Sequence, residues 1–216
     1  MHISDGKETI LHTIAHNKIV ACIRTNSYEK ILTIADSLIA ADINIIEITL
    51  TSPDPFRAIA IIRQKYPNVL VGAGTVLNAD AAKDAIRAGA SFIVSPILSR
   101  EVMKIGKRKN VLSIPGVFTP TEICTAINMG AEIVKLFPAS IGSPSMIREI
   151  KAPFPDIRIM PSGGVTLDNA REWLAAGAFA LTLGSALSSP ASEGNFDEIT
   201  RHVRQLRKTI EKGDYR

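Results

Sequence analysis

Residues 133–138 read IVKLFP, a short apolar run broken by one lysine and ended by a proline. Working outward, the same kind of run recurs as IRIMP (157–161) and FALTLG (179–184) towards the C-terminus. Towards the N-terminus it recurs as VLSIPG (111–116), FIVSP (92–96), VLVGAG (69–74), IIEITL (45–50) and IVACI (19–23). A turn and an amphipathic stretch follow each run. Short β-rich runs alternating with helical patterns indicate parallel βαβ units. Eight of them in 216 residues give one about every 27 residues. That count predicts an α/β fold, a (β/α)8 TIM barrel spanning 1–216 as a single domain.

Helix punctuation agrees. Thr119-Pro120-Thr121-Glu122 offers an N-cap threonine, a proline at the first helical position and a glutamate at the third, a capping box. Ser52-Pro53 and Ser143-Pro144 repeat the cap-then-proline signal. Gly89, Gly130 and Gly177 are spaced as helix C-terminal glycines. Residues 6–16 read as an additional N-terminal helix. Residues 195–211 read as a closing helix, with Phe196, Ile199, Val203, Leu206 and Ile210 on one stripe. An open doubly wound sheet is the weaker reading, because Gly72-Ala73-Gly74 lacks the third glycine of the dinucleotide fingerprint.

Composition excludes several classes. At 46% apolar and 21% charged residues, the chain is not a disordered sequence. A net charge of +4 is too small and dispersed to announce nucleic acid. The densest basic stretch, Lys104, Lys107, Arg108 and Lys109, has no interleaved aromatic and reads as a solvated helix end. No apolar run reaches the ~18 residues of a membrane span, and Met1 to Lys7 lacks a signal-peptide core. A cytoplasmic enzyme or binding protein is the expectation. Cys22 and Cys124 lie in apolar contexts without a CxxC and read as reduced and buried. The histidines are His2, His12, His16 and His202, so the central chain lacks the imidazole of a zinc site or a Ser-His-Asp triad. No metal and no cofactor is expected.

Parallel strands are buried on both faces, so a charge inside one needs a reason. Of twelve lysines only Lys135 lies mid-run, and of eleven glutamates only Glu47. Alternation groups Ile133, Lys135 and Phe137 on one face, Ile45, Glu47 and Thr49 on another, and Val20, Cys22 and Arg24 on a third. If the mixed faces point inward, Arg24, Glu47 and Lys135 meet inside, near the strands' C-terminal ends. A buried Lys–Glu pair can simply complete a core. It can also supply a free amine that attacks a ketone, with a carboxylate at hand to move protons. The turns Pro161-Ser162-Gly163-Gly164 and Gly184-Ser185 follow the last two runs, where backbone N–H groups can cradle a phosphate.

With these residues in view, the sequence resembles the pyruvate-dependent class I aldolases acting on 2-keto-3-deoxy-6-phosphogluconate (KDPG) and 4-hydroxy-2-oxoglutarate (KHG). The resemblance runs from about residue 17 to 187. It is carried by IIEITL (45–50), GAGTV (72–76), FIVSP (92–96), IPGVFTPTE (114–122), KLFPA (135–139), PSGGV (161–165) and LGSAL (183–187). It implies a homotrimer of barrels and a metal-independent cleavage of a keto-acid sugar phosphate to pyruvate and an aldehyde. It implies that Lys135 forms the Schiff base and Glu47 is the general acid/base. Thr75 would hold the pyruvate carboxylate, Pro96 and Phe137 would wall the pyruvyl chain, and Ser162 would lie near the substrate's polar groups. Gly163, Gly164, Gly184 and Ser185 would bind the phosphate.

Two departures stand out. Thr51 occupies a position where many members carry an arginine; Arg24 is read as supplying that guanidinium. LGS at 183–185 stands where gluconate-type members often have Gly-Gly-Ser. Together with TSPDP at 51–55, it makes the chain similar also to the phosphogalactonate-acting branch. A non-catalytic sugar-acid-phosphate binding barrel is the reading from a different class. Retention of both Lys135 and Glu47 weighs against it.

Overall fold

The computed structural model describes residues 6–211. His2 and most of the Met1 to Lys7 segment lie outside the described residues. The elements run α1 (Lys7–Asn17), β1 (Ile19–Ile23), α2 (Tyr28–Ala40), β2 (Ile45–Thr49), α3 (Pro55–Lys65), β3 (Leu70–Gly74), α4 (Ala79–Arg87), β4 (Phe92–Val94), α5 (Arg100–Lys109) and β5 (Leu112–Ile114). They continue with β6 (Gly116–Val117), α6 (Pro120–Asn128), β7 (Ile133–Leu136), α7 (Pro144–Lys151), β8 (Arg158–Pro161), α8 (Ala170–Ala175), β9 (Leu181–Leu183), α9 (Ser185–Ser188) and α10 (Phe196–Glu211).

The fold is α/β, with every named strand pair parallel. One sheet has the order β5-β4-β3-β2-β1-β9, the other β6-β7-β8. The run VLSIPG forms two strands rather than one, because Pro115 has no N–H to give the ladder. Its carbonyl still accepts from Lys135 N at 2.8 Å. At the other side, Ser162 just after β8 bridges to Thr182 of β9 in parallel register.

The alternation within the strands separates two cores. Ile19, Ala21, Ile23, Ile46 and Ile48 pack with the helices, as do Val134 and Leu136. Val20, Ile45, Leu70, Phe92 and Ile133 form the second core, together with Ile10, Leu11 and Ile14 of α1. Helix α10 buries Ile199, Val203 and Leu206 completely. That stripe at three- and four-residue spacing is the face that packs on the layer beneath.

Some signals read from sequence hold at the atom level. The Thr119 hydroxyl accepts from Glu122 N at 3.3 Å, and the Glu122 carboxylate accepts from Thr119 N at 2.8 Å. Ser143 is the N-cap residue of α7, with Pro144 at the first position, although its hydroxyl engages Ser145 rather than the backbone. Ser52-Pro53 is corrected: α3 begins at Pro55, after Asp54. The Ser52 hydroxyl instead meets Thr49 Oγ1 at 3.1 Å and accepts from Thr25 N at 3.3 Å, tying the end of β2 to the end of β1. The cysteine reading is corrected too. Cys124 is exposed on the outer side of α6, and Cys22 is half-buried. No described helix is long and apolar enough to cross a membrane.

Candidate active site

Glu47 sits at the centre of β2, paired in register with Cys22 of β1 and Gly72 of β3. It is wholly buried. Lys135 sits at the third position of β7, in register with Gly116 and Met160. Both point to the side of the sheets that carries the α1-containing core. Their side chains meet there, with Nζ 4.0 Å from Glu47 Oε1 and only 7% and 1% of the two side chains exposed.

The surroundings fix this geometry. A Cβ at Gly74 would lie 1.9 Å from Glu47 Oε1 and 2.7 Å from its Cγ. The carboxylate therefore occupies room that only a glycine leaves. The Phe137 ring centroid lies 5.2 Å from Lys135 Nζ, within reach of a cation–π contact. Cys22 donates its thiol to Glu47 Oε1 at 3.6 Å. Burial pushes the Cys22 thiol well up from its ordinary value, and the Glu47 charge pushes it further, against the opposing charges of Lys135 and Arg24. The thiol is thus a neutral donor at physiological pH. Glu47 Oε2 is buried with no hydrogen-bond partner, a costly state for a carboxylate oxygen unless a ligand or solvent group completes it.

The remaining residues surround this pair unevenly. Arg24 is corrected from the interior position read from alternation. It follows the last residue of β1 and is exposed, with its guanidinium donating to Thr75 Oγ1 at 3.3 Å. Thr75 follows β3 with a φ of 59°, a left-handed conformation that turns the chain at the strand end. Pro96 follows β4 and is half-buried. Its backbone lies where a Cβ on Gly116 would come within 2.2 Å. Ser162 is buried; its N–H donates to Leu136 O at 3.0 Å, so the end of β8 is tied to β7. Gly163 and Gly164 follow at φ of 77° and 91° and are exposed. Gly184 and Ser185 open α9.

A cavity of about 550 Å³ lies beside β1, lined among others by Cys22, Arg24, Asn26, Lys30, Gly184 and Ser185. The sequence reading missed Cys22 as a neighbour of Glu47. The alternation that grouped it with Arg24 was the available signal. It also missed Asn26 and Lys30, which come to the cavity with Gly184 only through the tertiary fold. Among the described residues no group of three or more His, Cys, Asp or Glu side chains is placed to hold a metal ion.

A buried amine facing a carboxylate within parallel strands can form and break imines with keto compounds. Comparison with known proteins points the same way. Residues 10–202 match the family described as KDPG and KHG aldolase. The 2-dehydro-3-deoxy-phosphogluconate aldolase of Haemophilus influenzae is 35% identical over 202 residues, covering 92% of this chain and 95% of that protein. A probable 2-dehydro-3-deoxy-6-phosphogalactonate aldolase of Rhizobium meliloti is 37% identical over 174 residues, covering 80% and 82%. Among solved structures, the KDPG aldolase of Legionella pneumophila, with pyruvate captured at low pH as a covalent carbinolamine, superposes with a TM-score of 0.80. It is 30% identical and covers 87% of this chain and 92% of that one.

Proposed function

The chain belongs to the KDPG and KHG aldolase family, and from that premise we propose that it is a class I aldolase. It cleaves 2-keto-3-deoxy-6-phosphogluconate reversibly to pyruvate and glyceraldehyde 3-phosphate, and 4-hydroxy-2-oxoglutarate to pyruvate and glyoxylate. The observation that carries this reading is the buried approach of Lys135 Nζ to Glu47 Oε1 at 4.0 Å.

In the proposed cycle the unprotonated Lys135 amine attacks the C2 ketone. Glu47 assists loss of water from the carbinolamine, giving an iminium. The iminium draws electrons from the C3–C4 bond, and Glu47 takes the C4 hydroxyl proton as that bond breaks. The aldehyde leaves. The enamine that remains is protonated at C3 and hydrolysed to pyruvate, which frees the amine.

Arg24 and Thr75 hold the carboxylate in this reading, and the short link between them supports the pairing. Pro96 and Phe137 flank the carbon chain. Ser162 faces its polar groups. Gly163, Gly164, Gly184 and Ser185 offer backbone N–H groups to the phosphate. Thr51, which stands where many relatives have arginine, is exposed and turned to Thr49 Oγ1 at 3.3 Å.

The proposal includes a single (β/α)8 barrel domain with α1 across its base. It is supported by the Lys135–Pro115 hydrogen bond on one side and the Ser162–Thr182 bridge on the other, which link the two sheets. It also includes a homotrimer in the cytoplasm. Exposed Ile97 and Ile141 are apolar surface that subunit contacts would cover.

A second reading is cleavage of the galacto-configured phosphosugar acid. The similarity to the Rhizobium protein favours it, as do LGS at 183–185 and TSPDP at 51–55. A coupled pyruvate-release assay on the three substrates decides. Highest kcat/KM on the gluconate substrate fits the main reading, and highest on the galactonate substrate fits the second. No pyruvate from any of them contradicts the aldolase assignment.

A further inference from the structure

The cavity beside β1 is lined by Cys22, whose thiol touches Glu47. Its lining also holds Gly184 and Ser185, where α9 begins, and Lys30 in the first turn of α2. Among the described residues its lining includes two cations, Arg24 and Lys30, and no carboxylate. Arg24 is engaged by Thr75. Lys30 is half-buried, and its ammonium has no ion pair or hydrogen bond among the described residues. The nearest acidic residue in sequence, Glu29, accepts instead from the Ser27 hydroxyl at 2.8 Å. An unpaired cation in a wall without carboxylates favours an anionic occupant, because only that occupant would complete the local charge.

We infer that Lys30 is a substrate-binding residue, which contacts the distal phosphate of a phosphorylated 2-keto-3-deoxy acid from the α2 side of the cavity and so separates phosphorylated from unphosphorylated substrates. This rests on the aldolase reading and extends it. Backbone N–H groups around Gly184 offer partial charges only, whereas an ammonium offers a full one and three donors. An unphosphorylated substrate would reach Lys135 without touching Lys30.

The experiment is run in the synthetic direction, with pyruvate and either glyceraldehyde 3-phosphate or glyceraldehyde, on the wild type, K30M, K30Q and K30R. K30M and K30Q are expected to lose about ten- to hundredfold in kcat/KM with the phosphorylated aldehyde, the size of one charge-assisted hydrogen bond. With plain glyceraldehyde they should match the wild type, and K30R should keep most of the phosphorylated activity. Undiminished efficiency on glyceraldehyde 3-phosphate overturns the assignment. So does an equal loss on both aldehydes, which marks a structural role. Borohydride with pyruvate, applied to the wild type alongside, separates the two levels. An adduct with Lys30-insensitive kinetics strikes the Lys30 assignment alone, whereas no adduct and no turnover overturns the aldolase reading and this inference together.

Discussion

Lys135 Nζ and Glu47 Oε1 lie 4.0 Å apart, in side chains 7% and 1% exposed, on strands that belong to different sheets. A buried ion pair is weak evidence for stability, since desolvation can cancel its attraction. Here one oxygen of the carboxylate remains without a partner, as suits a group that must exchange protons with a substrate. Glu47→Gln keeps the shape and removes the base. It should still bind pyruvate while losing roughly 10²–10⁴-fold in kcat. Steady-state kinetics beside a pyruvate-binding titration checks this; a variant with near-normal turnover would remove Glu47 from the mechanism.

Gly74 controls the same carboxylate from the neighbouring strand. Gly74→Ala puts a methyl 1.9 Å from Oε1, with Cδ at 2.6 Å behind it. The carboxylate side chain has to move from its place beside Lys135. Overpacking of this kind costs about 1–3 kcal/mol, and a displacement near 1 Å at a reacting group costs on the order of 10²-fold in rate. Thermal melts and kcat together are the measurement. Unchanged activity would mean that the position of Glu47 is not critical.

How much of this was legible in the sequence follows from which interactions are local. The strand runs, the Thr119–Glu122 capping box and the Lys135–Glu47 pair were readable, because period-two alternation and short-range hydrogen bonds set them. Run IVACI and strand β1 coincide, but other strands came out shorter than their apolar runs, as in FIVSP, where the strand is only Phe92–Val94. Apolarity continues past the ladder into the buried ends of loops. Arg24 was misplaced because alternation fixes a face but not where the strand ends. Cys124 was misplaced because its apolar neighbours in sequence face a different side of α6. Lys30 and Asn26 escaped notice because they share a cavity with Gly184 only in the folded chain.

Arg24 is exposed, and among the described residues its guanidinium bonds to the Thr75 hydroxyl. Arg24→Ala should therefore leave the melting temperature nearly unchanged. It should raise KM for the keto acid about tenfold or more, the scale of a lost hydrogen bond to a charged group. Unaltered substrate affinity would show that Arg24 does not stand in for the arginine absent at Thr51.

The two cysteines should separate by pH. The thiolate is the reactive form. Burial and the adjacent Glu47 charge hold the Cys22 thiol well above its ordinary range, so it stays protonated through neutral pH. Cys124 is exposed. Iodoacetamide at pH 7, followed by peptide mass spectrometry, should label Cys124 and spare Cys22, with Cys22 labelling rising only as the solution becomes strongly alkaline. Prompt labelling of Cys22 at neutral pH would contradict the described contact with Glu47.

Reductive trapping goes to the chemistry itself. Incubating the native protein with pyruvate and borohydride, then mapping the modified peptide, should find a single reduced pyruvyl adduct on Lys135, absent from Lys135→Ala. An unmodified Lys135, or label spread over surface lysines instead, would contradict the claim that this buried amine does the work.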